Sequence, residues 1–80
     1  MKIQVLFFGI TTDLVETSAL NLELPKIETV QGFKNFLKEK YPQLKNIDSY
    51  AIAVNESYAA DELVLKEDDV VAVIPPVSGG

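Results

Sequence analysis

The segment Val70-Val71-Ala72-Val73-Ile74 (VVAVI) runs apolar without a break, is stopped by Pro75-Pro76, and is followed by Val77-Ser78-Gly79-Gly80. A short, near-continuous apolar run rich in β-branched residues fits a strand buried at the centre of a sheet. Proline has no N–H and cannot extend a central ladder, so the strand ends at Ile74. A central strand needs a partner on each side, and the preceding residues offer candidates.

Immediately before it, Lys66-Glu67-Asp68-Asp69 reads as a solvated acidic turn that launches the strand. Further back, SYAIAV (49–54) is a strand whose exit, Asn55-Glu56, suits a tight turn into a short strand around Tyr58. Val30, Phe33, Leu37 and Tyr41 recur at helical spacing behind Thr29, which offers an N-cap hydroxyl; Lys34, Lys38 and Lys40 are expected mostly outward. Pro42 disfavours helical geometry in the residue before it and ends the helix there. Gly32 is an unusual choice for the first turn. At the amino end, residues 2–9 alternate, with Ile3, Val5 and Phe7 on one face and Gln4, Leu6 and Phe8 on the other. The polar TTDLVETS connects this strand to a second alternating run, Leu20, Leu22 and Leu24, which stops at Pro25; the two runs pair as a hairpin.

The order is strand, strand, helix, strand, short strand, strand. This is an α+β chain: a small mixed sheet with one main helix packed on one face, the ubiquitin-like β-grasp arrangement. Eighty residues make a single domain, 1–80, with residues 75–80 as an extended carboxy-terminal tail.

Composition excludes several function classes. Seven lysines, no arginine and twelve acidic residues give a net charge of -5, which repels phosphate backbones; no nucleic acid is expected as a partner. A basic protein surface is the complementary one. No apolar run approaches the ~18 residues of a membrane span, and IQVLFFGI lacks the flanks of a cleaved signal. A cytoplasmic protein with no membrane association is expected. With neither His nor Cys there is no thiol nucleophile, no imidazole base and no usual transition-metal cluster. Ser49, Ser57 and Ser78 have no base to activate them, and the acidic run 67–69 lacks the spacing of a calcium loop. Catalysis by this chain alone is not expected.

The terminal carboxylate is the distinctive chemical group that remains. A frayed end is the plain alternative, but the residue order suits an arm acted on by other proteins. Pro75 and Pro76 keep the base extended, which lowers the entropy lost on threading into a partner. Gly79 and Gly80 carry no β-carbon and can enter a narrow channel with backbone angles closed to other residues. A carboxylate is a poor electrophile until an activating enzyme converts it to an acyl adenylate.

The ending VAVIPPVSGG, with MKIQVLFF at the start and AVNESY in the middle, resembles the MoaD-like small sulfur-carrier subunits of molybdopterin synthase, over essentially the whole chain. The resemblance implies that Gly80 is adenylated by an ATP-dependent activating enzyme and converted, by a sulfur donor, to a thiocarboxylate. It implies that residues Pro75, Pro76, Val77, Ser78, Gly79 and Gly80 insert into the large synthase subunit, in a heterotetramer, where the sulfur attacks a cyclic pterin precursor. No permanently bound cofactor or metal is implied. Where members of the family often carry a basic residue and a Glu after the first strand, this chain has Thr12 and Asp13; Asp68 replaces a usual glycine.

Partner binding is expected on the sheet face that the helix leaves open. By alternation Phe8 lies opposite Phe7 and Ile74 opposite Val73, and Tyr58 matches the third apolar contact position of the family pattern. An apolar patch ringed by acids would fit a protein that alternates between partners. The same side chains finishing the core is the alternative. Three other functions share the fold: a ubiquitin-like modifier joined to lysines through Gly80, a thiazole-pathway sulfur carrier, and a non-reactive β-grasp interaction module.

Overall fold

Strand β1 (Lys2–Phe7) alternates as its sequence requires, with Ile3, Val5 and Phe7 buried and Lys2 and Gln4 exposed. It pairs antiparallel with β2 (Ala19–Glu23), Val5 facing Leu20, and parallel with β5 (Val70–Ile74), Val5 facing Val71. On its other side β5 pairs antiparallel with β3 (Ala51–Val54), Ile52 facing Val73, and β3 pairs with β4 (Ser57–Tyr58). The sheet order β2-β1-β5-β3-β4 places β5 at the centre. This computed structural model describes residues 1–76, so Val77, Ser78, Gly79 and Gly80 lie outside the described residues.

Helix α2 (Val30–Lys40) covers one face of the sheet. Val30, Phe33 and Leu37 are fully buried and join Ile3, Val5, Phe7, Ile52, Val71 and Val73 in one core. The side chain of Thr29 accepts a hydrogen bond from the Gly32 amide, the capping that the sequence implies, and Tyr41 closes the helix just before Pro42. A β-carbon at Gly32 would meet the carboxylate end of the Glu28 side chain, a flexible group that can move aside, so the space there does not by itself require glycine.

Several expectations need correction. Strand β1 stops at Phe7 rather than at residue 9, because Gly9, at φ 59° and ψ -139°, swings the backbone out of the sheet. The polar connector after it contains a short helix, α1 (Ile10–Val15), which buries Thr11 and Val15 one turn apart. Ser49 belongs to a 3₁₀ turn (Ile47–Ser49), not to the strand that follows. Lys34 is buried, not outward: its ammonium lies 2.9 Å from Oδ1 of Asp61. The acidic run is only partly solvated, since Asp69 is buried and accepts hydrogen bonds from the Lys66 amide at 2.8 Å and from Nδ2 of Asn55 at 2.9 Å. Finally, β5 is buried on one face only: Val71 and Val73 are at 0% exposure, while Val70, Ala72 and Ile74 are half-buried on the other. The helix covers a single face, and the second face of β5 stays open.

Two tight turns use left-handed backbone at non-glycine residues. Asn55 and Glu56 (φ 50° and 73°) join β3 to β4, and Asp68 (φ 68°) makes the turn before β5. Asparagine and aspartate visit this region at lower cost than most residues. No helix among the described residues is long and apolar enough to cross a membrane.

Candidate functional site

The open face of the sheet has a floor set by strand register. Leu6 on β1 faces Ala72 on β5, Ala72 faces Ala53 on β3, and Ala53 faces Tyr58 on β4. Two alanines between a leucine and a tyrosine leave a trough, because their side chains rise a single carbon above the sheet. Two residues further along the same face, Phe8, just past β1, and Ile74, on β5, close one end; Val70 and Glu56 complete the lining. Phe8 is 48% exposed and Tyr58 79% exposed, high values for aromatic side chains. The core face is the complement, with Phe7 opposite Val73 and both buried.

All three residues expected on this face, Phe8, Tyr58 and Ile74, meet in the one groove. They do not finish the core. Glu56 is the groove's one charged lining residue among those described. Leu6, Ala53, Val70 and Ala72 were not singled out from sequence. Their signal is the alternation itself, since Leu6 shares a face with Phe8, and Val70 and Ala72 share one with Ile74.

Because β1 and β5 are parallel, both end at the same pole, and the tail leaves the sheet beside Phe8. Pro75 passes close over Gly9, where an added β-carbon would lie 3.1 Å from its Cγ. Pro75 is half-buried and Pro76 exposed, with Ile10, Leu14 and Tyr50 alongside. The expected insertion residues Val77 to Gly80 fall outside the described residues; their base is set at the rim of the groove. No group of His, Cys, Asp or Glu able to hold a metal ion occurs among the described residues.

An apolar trough adjoining an extended chain exit can dock a partner surface while the tail enters that partner. The family model for the ThiS family matches residues 5–80. The chain belongs to the ThiS family. Among its ThiS-family relatives is the molybdopterin synthase sulfur carrier subunit of Arabidopsis thaliana, 35% identical, with an alignment that covers 100% of this chain and 84% of the relative. In three dimensions the chain is similar to a putative molybdopterin converting factor, subunit 1, from Pyrococcus furiosus (TM-score 0.86, 29% identity, covering 96% of this chain and 99% of that one). It is also similar to a chain in the complex of subunits 1 and 2 of the molybdopterin-converting factor from Helicobacter pylori (TM-score 0.69, 26% identity, 100% of both chains).

Proposed function

We propose that this ThiS-family chain is the sulfur-carrier subunit of a molybdopterin synthase. The observation that carries the reading is the position of the tail base: Pro75 and Pro76 leave the central strand at the rim of the groove that holds Phe8 and Ile74. A partner docked on that groove receives the tail without any rearrangement of the sheet. The full-length likeness to sulfur-carrier subunits supports the same reading.

The chemistry resides in Gly80. An ATP-dependent activating enzyme joins its carboxylate to the α-phosphate of ATP, releasing pyrophosphate and leaving an acyl adenylate. A donor of sulfide-level sulfur then attacks the acyl carbon, forming the carbon–sulfur bond as the bond to AMP breaks, and leaves a thiocarboxylate. Sulfur is softer and more nucleophilic than a carboxylate oxygen, so the loaded tail, inserted into the large subunit, attacks the cyclic pterin precursor there. That attack forms a carbon–sulfur bond as a carbon–oxygen bond of the precursor breaks and its oxygen group departs; hydrolysis of the resulting thioester then leaves sulfur on the pterin and returns the carboxylate to Gly80. Two such cycles supply the two sulfurs of a dithiolene, the group that later holds molybdenum or tungsten. The carrier thus acts in the cytoplasm, in a heterotetramer with the large subunit. It holds no cofactor of its own.

Intact-mass spectrometry of the protein from its native host tests this. A terminal mass gain matching replacement of one oxygen by sulfur is expected. Lysine-linked conjugates through Gly80 would instead make it a modifier, and an unmodified terminus in every growth state would leave a plain interaction module. A thiocarboxylate consumed by a thiazole-forming enzyme, and not by the large synthase subunit, would assign it to the other sulfur pathway.

A further inference from the structure

Phe8 stands at the rim of the docking groove, yet the β-ladder does not fix it. β1 ends one residue earlier, and the Phe8 amide reaches the carbonyl of Val73 only at 3.3 Å. What holds it is Thr11, a polar side chain at 0% exposure. Its hydroxyl oxygen accepts from the Phe8 amide at 3.1 Å and donates to the Phe8 carbonyl, which also accepts from the Thr11 amide at 3.3 Å. One hydroxyl therefore grips both backbone groups of a single residue.

The neighbouring Thr12 reaches one residue back, its hydroxyl donating to the Phe7 carbonyl at 3.1 Å. A hydroxyl at a helix start ordinarily caps the helix, but the cap position of α1 is Gly9 and carries no side-chain bond. The two threonine hydroxyls are directed back at the end of β1 instead. We infer that Thr11 is a positioning residue for partner docking, its buried hydroxyl fixing the backbone of Phe8 so that the exposed ring stands ready at the rim of the groove. This rests on the docking role proposed above. Preorganising an anchor lowers the ordering cost of binding, so loss of the hydroxyl lowers affinity without removing any contact to the partner.

Thr11→Val and Thr11→Ser separate this from a purely structural role. Valine keeps the buried shape and loses the hydroxyl; serine keeps the hydroxyl and loses a buried methyl. Affinity for the large synthase subunit, measured by calorimetry, is expected to fall about tenfold for Thr11→Val and to stay within about threefold of wild type for Thr11→Ser, whatever their order in melting temperature. In a Phe8→Ala background, Thr11→Val is expected to cost less than about twofold further, because the anchor it positions is gone. Equal loss in both backgrounds, wild-type affinity for Thr11→Val, or a serine variant as weak as the valine one would overturn the inference. If the wild-type chain does not bind the large subunit, the proposed function fails separately. Amide relaxation at Phe8 then decides the positioning claim: a lowered order parameter in Thr11→Val but not in Thr11→Ser sustains it, and rigid values in both overturn it.

Discussion

Lys34 is the side chain whose position and chemistry conflict most sharply. It lies four residues after Val30 and three before Leu37, so helical spacing puts it on the buried face, while a lysine is expected in water. The conflict is resolved by Asp61, whose Oδ1 lies 2.9 Å from the ammonium; the lysine side chain is 7% exposed and the aspartate 47%. Removing one partner of such a pair leaves a buried charge, whereas replacing the lysine by a similar apolar chain does not. Asp61→Ala is therefore expected to destabilise by about 1–3 kcal/mol and Lys34→Met by less than about 1 kcal/mol. Paired urea melts check the order, and a larger loss for Lys34→Met would contradict it. The groove residues predict a different separation. Phe8→Ala, Tyr58→Ala and Ile74→Ala should each weaken binding of the large subunit more than they lower stability, with anchors at the centre of the contact worth about 2 kcal/mol. Calorimetric titration beside thermal melts makes the comparison; lost stability with unchanged affinity would return these residues to a folding role.

Among the elements, α2 was legible end to end because its signals are local: a hydroxyl at Thr29, apolar spacing through Leu37, and proline at 42. Helix α1 was not. Its six residues include two threonines and an isoleucine, poor helix formers, and only Thr11 and Val15 are buried, with Leu14 packing partly against the core. Too short to show a period, it exists because Gly9 and the threonine bonds turn the chain back on itself. The faces of β5 were half legible for a related reason. An unbroken apolar run marks a central strand, but it cannot tell a face covered by a helix from one reserved for a partner. α2 also carries a pH signature through the turn at Ile47–Ser49. Lys38 donates to Oδ2 of Asp48 at 3.3 Å and, chiefly through that hydrogen bond, holds its carboxyl below the ordinary value of 3.8. A depressed carboxyl pKa contributes stability above the unfolded value and loses it as pH falls through the folded one. Melting temperature should therefore fall less steeply below about pH 4 in Lys38→Met than in wild type, by a small margin because the pair is exposed. Identical acid limbs in the two proteins would refute this.

At the scale of the molecule, one face of the sheet carries the core and the other, open face is the proposed docking surface; β5 contributes to both before Pro75. Val71 and Val73 anchor the core while Ala72 and Ile74 line the groove, so the chain leaves β5 at the rim of the groove. In the proposed function the carboxyl of Gly80 is the group that a partner enzyme activates. Changes beyond β5 should leave folding intact and act on that chemistry alone. Gly79→Val widens the tip and restricts its backbone, and deletion of Gly80 shortens the arm; both should fold and bind while failing to be loaded with sulfur. The most direct measurement is ATP-dependent adenylate formation by the cognate activating enzyme on the wild-type chain and on one with a single alanine added after Gly80. The extra residue displaces the carboxyl by ~3.5 Å. Adenylation of the wild type and none of the extended chain is the predicted result; adenylation of the untrimmed extended chain at the wild-type rate would contradict it.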